Sequence, residues 1–326
     1  MDKVTAMIEN RKIYLSGGNS YIITLPKKWV ENNGLKAGDH IRMEISGDVI
    51  VLRAKDSERA KRVVTVDSKD LCHDCLIRRI VAYYLAGYDS VRVKVYSEEH
   101  RRAVSLASDM LIGAEIIEDL GKEIVLEIFI DPNRFRIDYI VERIGNMCIT
   151  MLSDFKQLLK SLDGYIHSSI VMRESEIDRL HFLALRLLKS EISGRPEDLL
   201  EYRTIIRALE RISDHCVKMS ESLMRVKVPL PKLVELVEIC EKILKITMKS
   251  YYKKSSDLAD EVINEVENFY SIEEKYSNIL FELLEDFWRK KESIEKSANL
   301  RMILDSLSRI AGYCSDIAEA VINMCI

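Results

Sequence analysis

The sequence lacks the features that mark membrane and secreted proteins. None of its apolar runs reaches the ~18–20 residues that a membrane span needs, and residues 1–5 contain no apolar signal-peptide core. The seven cysteines are an odd number and are mostly scattered among helical positions. That usage is typical of a reducing compartment and argues against a disulfide framework. We therefore expect a cytoplasmic protein with no membrane insertion.

Catalytic motifs are also missing. The six histidines are scattered, and none lies beside a Ser or Cys at a recognisable nucleophile turn. The sequence contains no Glu-x-x-His pair of the kind that a di-iron carboxylate enzyme would place on facing helices. The middle of the chain has single glycines rather than a Gly-rich phosphate loop. We expect that the protein is not an enzyme.

Proline and glycine are few in the second half of the chain, and their positions predict its organisation. Among 326 residues there are only five prolines, and glycine becomes sparse after Gly121. Four prolines lie at suitable helix starts or linkers, namely Pro132, Pro196, Pro229 and Pro231. We predict a multidomain, mainly α protein. Its predicted domains are residues 1–55, a small α/β layer at 62–131, and three-helix bundles at 133–228 and 229–326.

Residues 1–55 carry an excess of positive charge. They contain nine Lys and Arg against six Asp and Glu, a net charge of +3, which leaves −7 for the remainder. The excess is a modest indication of an anionic partner. Strands at 11–15 and 20–25, a short helix at 27–32, and strands at 40–45 and 49–53 predict the order β-β-α-β-β. About fifty residues with so few apolar side chains cannot bury an adequate core alone, so two copies are expected to share one.

The run GNSYIITLPK at 18–27, followed by LKAGD at 35–39, resembles the AbrB/SpoVT/MazE swapped-hairpin DNA-binding domain. The resemblance implies a homodimer through residues 1–55, in which hairpins of two chains interleave into a β barrel and present basic strands and loops to DNA. Such side chains neutralise phosphates, and at least one Arg should reach base edges. The alternative is a module that only dimerises and whose lysines are solvated. The matching basic positions are Arg11, Lys12, Lys27 and Lys28, together with Arg42 and Arg53.

The middle segment, residues 62–131, predicts a β-α-β-α-β-β layer with its helices packed on one face of a sheet. The motif Cys72-His73-Asp74-Cys75 raises the question of a metal or redox site. A zinc site needs a second ligand pair at similar spacing, and none is nearby, so ordinary helix residues are expected. The segment is predicted to be a spacer, a dimerisation unit or a ligand-sensing unit.

The helical part of the chain contains an internal repeat. Helical spacing predicts three helices up to residue 223, a proline break, and three more from residue 232. Two of these helices align without gaps over seven positions, which predicts two stacked three-helix bundles. The aligned residues are Arg203, Ile206, Leu209, Arg211, Ile212, Cys216 and Glu221, matched by Arg301, Leu304, Leu307, Arg309, Ile310, Cys314 and Glu319.

The motif ERISDH at 210–215 and the preceding helix, VMRESEIDRL at 171–180, resemble the PhoU family of tandem three-helix bundles that regulate phosphate uptake. PhoU proteins often bind multinuclear metal clusters through surface carboxylates. The resemblance therefore implies four ligands: Glu210 and Asp214, with Glu174 and Asp178 from the neighbouring helix. Four oxygen donors suit a hard cation such as Mg²⁺, Mn²⁺ or Fe³⁺. The alternative is a solvated helix face of alternating charge.

The second repeat departs from this pattern. Ser308 stands where Glu210 stands, Gly312 where Asp214 stands, and Phe269 where Asp178 stands. A second metal cluster is therefore not expected.

Three functions remain open. The first is a regulator of phosphate uptake whose N-terminal domain binds promoter DNA. The second is a PhoU-type regulator that docks on a phosphate-transporter ATPase of the ABC class or on a sensor kinase and uses residues 1–55 only to dimerise. The third is an antitoxin-like protein that neutralises a partner.

Overall fold

The computed structural model describes residues 9–18, 20–46, 49–54, 61–190, 196–289 and 294–326. For residues 44, 46, 49, 51, 53, 133, 190, 196, 197 and 273–289 it describes the backbone only. Residues 1–8, 19, 47, 48 and 55 of the predicted N-terminal domain lie outside the described residues. The chain divides into two compact units, Met1–Lys61 and Arg62–Ile326. In the described ranges, none of the helices combines the length and apolar character that a membrane crossing requires. The prediction of a multidomain, mainly α protein is confirmed.

The N-terminal unit contains two separate hairpins joined by a short helix. Its elements are β1 (Ile13–Ser16), β2 (Ser20–Ile23), α1 (Lys27–Asn32), β3 (Ile41–Ser46) and β4 (Val49–Ala54), which is the predicted order. β1 pairs with β2 and β3 pairs with β4, both antiparallel, and no strand of one hairpin pairs with the other within the described residues. Gly17 and Gly18 have φ of 63° and 82°, a left-handed conformation that glycine adopts without steric cost.

The second unit begins with a four-stranded sheet. Its elements are β5 (Val63–Asp67), α2 (His73–Leu85), β6 (Ser90–Lys94), α3 (Glu98–Met110), β7 (Ala114–Asp119) and β8 (Glu123–Ile128). The strand order is β5-β6-β8-β7, with β5 parallel to β6 and the other pairs antiparallel. Leu76 and Ile80 of α2 pack with Val91, Val93 and Leu126 of the sheet, all fully buried. The predicted β-α-β-α-β-β layer is therefore present.

The cysteine pair in this layer differs from the expectation of ordinary helix residues. Cys72 lies just before α2 as its N-cap, and its Sγ accepts a hydrogen bond from the amide of Cys75 at 3.2 Å. The two sulfurs are joined as a disulfide. The expectation was wrong because the first turn of a helix brings positions i and i+3 close together. Two cysteines at this spacing can therefore form a disulfide with each other, which needs none of the further ligands that a zinc site requires.

Six long helices form the rest of the second unit: α4 (Ile137–Ser161), α5 (Gly164–Ser190), α6 (Pro196–Val226), α7 (Val234–Lys253), α8 (Ser256–Arg289) and α9 (Ile294–Cys325). Their order matches the predicted two sets of three helices. The fifth helix, α5, begins at Gly164. The side chain of Asp163 accepts a hydrogen bond from the amide of Tyr165 at 2.8 Å, and so caps a helix that starts at the glycine.

The internal repeat is visible in the packing. The thiol of Cys148 on α4 donates to the carbonyl of Leu209 on α6 at 3.4 Å. In the second repeat, the thiol of Cys240 on α7 donates to the carbonyl of Leu307 on α9 at 3.8 Å. Cys148, Leu209, Cys240 and Leu307 all belong to one continuous core. The two bundles are joined tightly where α4 meets α7, since a Cβ on Gly145 would lie 2.3 Å from Cε of Met248.

The α/β layer is attached to the bundle through Arg186 of α5. This arginine is buried and donates hydrogen bonds to the carbonyl of Tyr84 and, at 3.0 Å, to that of Tyr88. Its guanidinium also lies 4.9 Å from the ring centroid of Tyr84 and 3.8 Å from the carboxylate of Asp89. A buried charge is tolerated only when it is paired and hydrogen-bonded in this way. These contacts therefore fix the position of the α/β layer on α5.

Candidate functional site

The acids of the first repeat converge because α5 and α6 are consecutive antiparallel helices. Glu174 and Asp178 are four residues apart and therefore lie on one face of α5. The ligand oxygens of Glu174, Asp178 and Asp214 all lie within 4.8 Å of one another, and we call these three residues the acidic cluster. Each is half-buried. Three carboxylates at this separation can chelate a cation, and oxygen ligands are the donors that hard divalent cations prefer.

The electrostatics of the acidic cluster favour a positive ligand. Burial raises the pKa of Asp178 to about 7, with further contributions from the charges of Glu174, Glu210 and Asp214. Burial and then the charge of Asp214 also raise the pKa of Glu174. Near neutral pH the cluster must therefore hold protons or carry mutually repelling charges. A bound cation would remove both penalties.

The fourth predicted ligand, Glu210, lies beside the acidic cluster rather than within it. It is half-buried, and burial followed by the charge of Asp214 raises its pKa, while Arg207 and Arg211 act in the opposite direction. The charge of Glu210 helps to raise the pKa of Asp178, so Glu210 lies close enough to affect the protonation of the cluster. It remains a predicted ligand. His215 faces the other way, since its ring lies 5.8 Å from that of Tyr313 on α9.

Two residues near the acidic cluster were not predicted from the sequence as part of the site. His181 lies three residues after Asp178, is buried, and has an Nδ1 atom without a hydrogen-bond partner. Burial lowers the pKa of His181 to about 4, while the charge of Asp214 acts to raise it. Glu221, two turns beyond Asp214 on α6, also raises the pKa of Glu174. The Asp-x-x-His spacing at 178–181 was a usable signal for the first of these.

The corresponding place in the second repeat cannot hold the same cluster. Phe269 is fully buried where the first repeat has Asp178, and Glu265 is paired with Lys242 at 2.9 Å. The hydroxyl of Tyr270 lies 3.5 Å from the carbonyl oxygen of Ser308. Within the described ranges the acidic cluster is the one group of three His, Cys, Asp or Glu side chains arranged for metal binding.

In the N-terminal unit, most of the predicted DNA contacts are exposed. Arg11, Lys12, Lys27, Lys28 and Arg42 all lie on the surface. Arg11 is paired with Glu9, and Lys27 lies 3.6 Å from Glu31 one turn along α1. The Cα atoms of Arg42 and Arg53 are partners across the β3–β4 hairpin, while the side chain of Arg53 lies outside the described part. Surface ion pairs of this kind are weak, so the basic side chain can exchange its carboxylate partner for a DNA phosphate.

The N-terminal unit also exposes most of its large apolar side chains. Tyr21 and Ile45 are each 71% exposed and Ile13 is 64% exposed, and no residue among those described in this unit is buried. An isolated two-stranded hairpin is marginally stable at best in water. Covering the exposed apolar faces of the two hairpins would therefore stabilise this unit.

Comparison with known proteins follows this division of the chain. The PhoU domain family model matches residues 141–223 and 233–321, more than half of the chain. The family model for antidote-toxin recognition by MazE, a bacterial antitoxin, matches residues 14–60. Both predicted resemblances are thereby confirmed. The chain finds no match among curated protein sequences.

Solved structures agree on the helical fold. PhoU from Pseudomonas aeruginosa is 17% identical with a TM-score of 0.51, and the match covers 57% of this chain and 93% of that one. The phosphate transport system regulatory protein PhoU from Streptococcus pneumoniae is 17% identical with a TM-score of 0.50, covering 57% and 91%. At this identity the likeness shows the fold: two three-helix bundles in tandem.

Proposed function

The chain belongs to the PhoU family, and from that premise we propose that it is a cytoplasmic, DNA-binding transcriptional regulator of phosphate uptake. The observation that carries the proposal is the presence of two family matches on one chain, a MazE-type unit at 14–60 followed by the tandem PhoU domains. In this arrangement the helical body senses or relays phosphate status, and the N-terminal unit brings it to DNA. The proposal assigns no catalytic activity to the chain.

Dimerisation through residues 1–55 is the first element of the proposal. It is supported by the two unpaired hairpins and their exposed apolar side chains. Light scattering during gel filtration of the full chain tests it. Ile45→Asp should shift the protein toward monomer, because a carboxylate cannot be buried in an apolar interface without a large desolvation penalty. Tyr165→Asp, at an 88% exposed position of α5, is the matched control and should remain dimeric. A dimeric Ile45→Asp protein would place the interface elsewhere.

DNA binding is the second element, and it is supported by the exposed basic side chains of the same unit. Fluorescence anisotropy with DNA from upstream of the gene should show an affinity that falls linearly with the logarithm of salt concentration. The double variant Lys27→Ala/Lys28→Ala should reduce that slope by up to about 0.9 per lysine lost. Lys249→Ala/Lys253→Ala on α7 makes the same charge change in the other unit and should leave the slope unchanged. Salt-independent binding, or none, rejects the DNA element.

Two alternatives have specific support. The solved relative from Streptococcus pneumoniae is described as a phosphate transport system regulatory protein, which favours a regulator that acts by contact with a phosphate-transporter ATPase or a sensor kinase. The description of the MazE family as an antitoxin favours an antitoxin-like role. Co-purification of a transporter ATPase or kinase without DNA binding would support the first. Neutralisation of a toxin encoded beside this gene would support the second.

Metal binding by the body is the third element. The donor set of the acidic cluster fits Mg²⁺, Mn²⁺ or iron, since all three ligands are carboxylates that share a space 4.8 Å across. Glu174, Asp178 and Asp214 would hold the metal, with Glu210 beside them, and the metal would tie α5 to α6. Elemental analysis of protein purified without chelator tests this. If Glu210→Ala/Asp214→Ala retains the metal content of the wild type, the assignment is wrong.

A further inference from the structure

The disulfide at the start of α2 lies at one edge of the sheet of the α/β layer. β5 and β6 are parallel neighbours, and α2 is the helix that connects them, so the three elements form a β-α-β unit. β5 ends at Asp67, and Cys72 is the N-cap of α2. Ligand sites of open α/β sheets lie at the carboxyl ends of the strands. A Cys-x-x-Cys pair at this place in a β-α-β unit is typical of a redox motif.

The disulfide has little to stabilise as a structural cross-link. It joins the N-cap of α2 to the first turn of the same helix, so it ties no second helix or strand to it. The two cysteines are separated by three positions in the sequence, and a disulfide that closes so short a loop constrains the unfolded chain less than one that closes a long loop. Chemistry at the sulfurs is therefore the better explanation of the pair.

The two cysteines differ in accessibility. Cys72 is exposed, whereas Cys75 is half-buried. Four of the other cysteines are buried in the helical core, namely Cys148, Cys216, Cys240 and Cys314. Burial raises the pKa of each of these four thiols, which keeps them unreactive. A thiol or a disulfide in solution therefore meets the sulfur of Cys72 before that of Cys75.

Groups around the two sulfurs stabilise negative charge. Sγ of Cys72 accepts a hydrogen bond from the amide of Cys75 at 3.2 Å, and it lies at the positive end of the dipole of α2, a helix of 13 residues. Nη2 of Arg78 donates to Sγ of Cys75 at 3.5 Å. Between the cysteines, Oδ1 of Asp74 lies 3.0 Å from Nδ1 of His73. Both sulfurs are thus placed to carry charge as thiolates, the form that reacts in disulfide exchange.

We propose that Cys72 and Cys75 form a redox-active site that exchanges reversibly with small thiols and disulfides. In the reduced site, the thiolate of Cys72 attacks one sulfur of a small disulfide. A new S–S bond to Cys72 forms, the S–S bond of the small disulfide breaks, and its other half leaves as a thiolate. The thiolate of Cys75 then attacks Sγ of Cys72, which closes the Cys72–Cys75 bond and releases the second half.

The exchange balances without a further reactant. The two released thiolates take up the two protons of the site, so the site loses two electrons and the small disulfide becomes two thiols. Reduction is the reverse: an external thiolate attacks Sγ of Cys72, and Cys75 leaves as a thiolate beside the guanidinium of Arg78. The site requires neither DNA nor phosphate, and so it goes beyond the proposed function.

Reaction of the reduced full chain with oxidised glutathione, followed by mass spectrometric mapping of each cysteine, tests the proposal. The wild type should end with Cys72 joined to Cys75. Cys75→Ser removes the second step and should stop at a glutathione adduct on Cys72. Cys325 is the internal control, because it is exposed at the opposite, negative end of a helix. Cys72 should form its adduct at least about tenfold faster near pH 7, since an ordinary thiol is thiolate to only about 3% there.

A second variant tests the assignment of Arg78. Arg78→Gln should slow reduction of the disulfide by dithiothreitol at least about twofold, because a thiol leaves faster when its thiolate is better stabilised. Arg79→Gln is the matched control, an exposed neighbour on α2 with the same charge change, and should be reduced as fast as the wild type. Helical circular dichroism confirms that each variant is folded. Reduction of Arg78→Gln at the wild-type rate removes Arg78 from the site.

Three outcomes overturn the redox-active site. The first is that the folded, oxidised protein resists reduction by excess dithiothreitol, which would make the disulfide a static cross-link. The second is that the reduced wild type does not regain the Cys72–Cys75 bond with oxidised glutathione. The third is that Cys72 of the Cys75→Ser variant reacts no faster than Cys325. All three are measured without DNA or phosphate, so failure of the proposed function would be recognised separately.

Discussion

Removing a carboxylate from the acidic cluster should stabilise the metal-free protein and abolish its response to metal. The substitution is Asp178→Asn, which keeps the size of the side chain and removes its charge. Burial, followed by the charges of Glu174, Glu210 and Asp214, raises the pKa of Asp178 to about 7. The folded state therefore binds this proton more tightly than the unfolded state does, and wild-type stability falls as pH rises from about 4 toward 7.

The magnitude follows from the separation of the carboxylates. Two unit charges 4.8 Å apart repel by about 3 kcal/mol at an effective dielectric constant of about 20. The three side chains are half-exposed to solvent, and screening reduces the net repulsion to about 1–2 kcal/mol. Asp178→Asn should therefore raise the free energy of unfolding by about 1–2 kcal/mol at pH 8 in the presence of chelator. The gain should shrink as pH falls and disappear below about pH 4, where Asp178 is protonated in both the folded and the unfolded wild type.

Metal should reverse the order of stability of the wild type and the Asp178→Asn variant. A cation that binds only the folded state adds about 2.7 kcal/mol when present at a hundred times its dissociation constant. The wild type should gain this stabilisation from Mn²⁺ or Mg²⁺, and Asp178→Asn should not, so their melting temperatures should cross between chelator and metal.

Thermal melting followed by helical circular dichroism measures both effects, with about 2–4 °C expected per kcal/mol. Asp260→Asn, at an exposed position of α8 in the second repeat, is the control for the charge change and should behave as the wild type does. The reasoning is refuted if Asp178→Asn is less stable than the wild type at pH 8 in chelator. It is equally refuted if both proteins gain the same stability from metal.

Three further predictions concern the rest of the second unit. Gly145→Ala should lower the free energy of unfolding by about 1–3 kcal/mol, because the new methyl group overlaps Met248. In a denaturant titration, the double variant Gly145→Ala/Met248→Ala should recover part of that loss. Arg186→Met should leave the helices folded but increase amide hydrogen exchange in α2, since the carbonyls of Tyr84 and Tyr88 lose their donor; unchanged exchange there would argue against this attachment. Alkylation under native conditions should label two more thiols after reduction than before it if Cys72 and Cys75 are paired, and the double Cys→Ser variant should lose that difference.

The order of elements was predictable, because each element carries its own local signal. Strand alternation, helical spacing and breaks at residues such as Pro229 are properties of short segments, and the observed boundaries agree within a few residues. The candidate ligands on one helix were predictable in the same way, since residues four apart share a face.

Arrangements that depend on the meeting of two helices were not predictable from spacing. The register between α5 and α6 determines that Asp214, rather than Glu210, joins Glu174 and Asp178 within 4.8 Å. That register follows from the packing of the buried apolar side chains. The pairing of Cys72 with Cys75 depends likewise on where α2 begins, and a boundary error of one or two residues hides it.

One difference between the two repeats lies at the acidic cluster, where Phe269 stands in place of Asp178. Positions that pack in the core are retained: Ile212 and Ile310 are both completely buried, as are Cys216 and Cys314. Close packing leaves little freedom to change such residues. Positions that differ include half-buried ones, as when Ser308 replaces Glu210 and Tyr313 replaces His215. They also include the buried position where Phe269 replaces Asp178.

This asymmetry gives the two repeats separate electrostatic characters. The first repeat concentrates negative charge between α5 and α6, and the same site in the second repeat is closed by buried Phe269. A fold made of two similar bundles thus offers, in its first repeat, a group of carboxylates suited to a cation, and α6 contributes Asp214 to it.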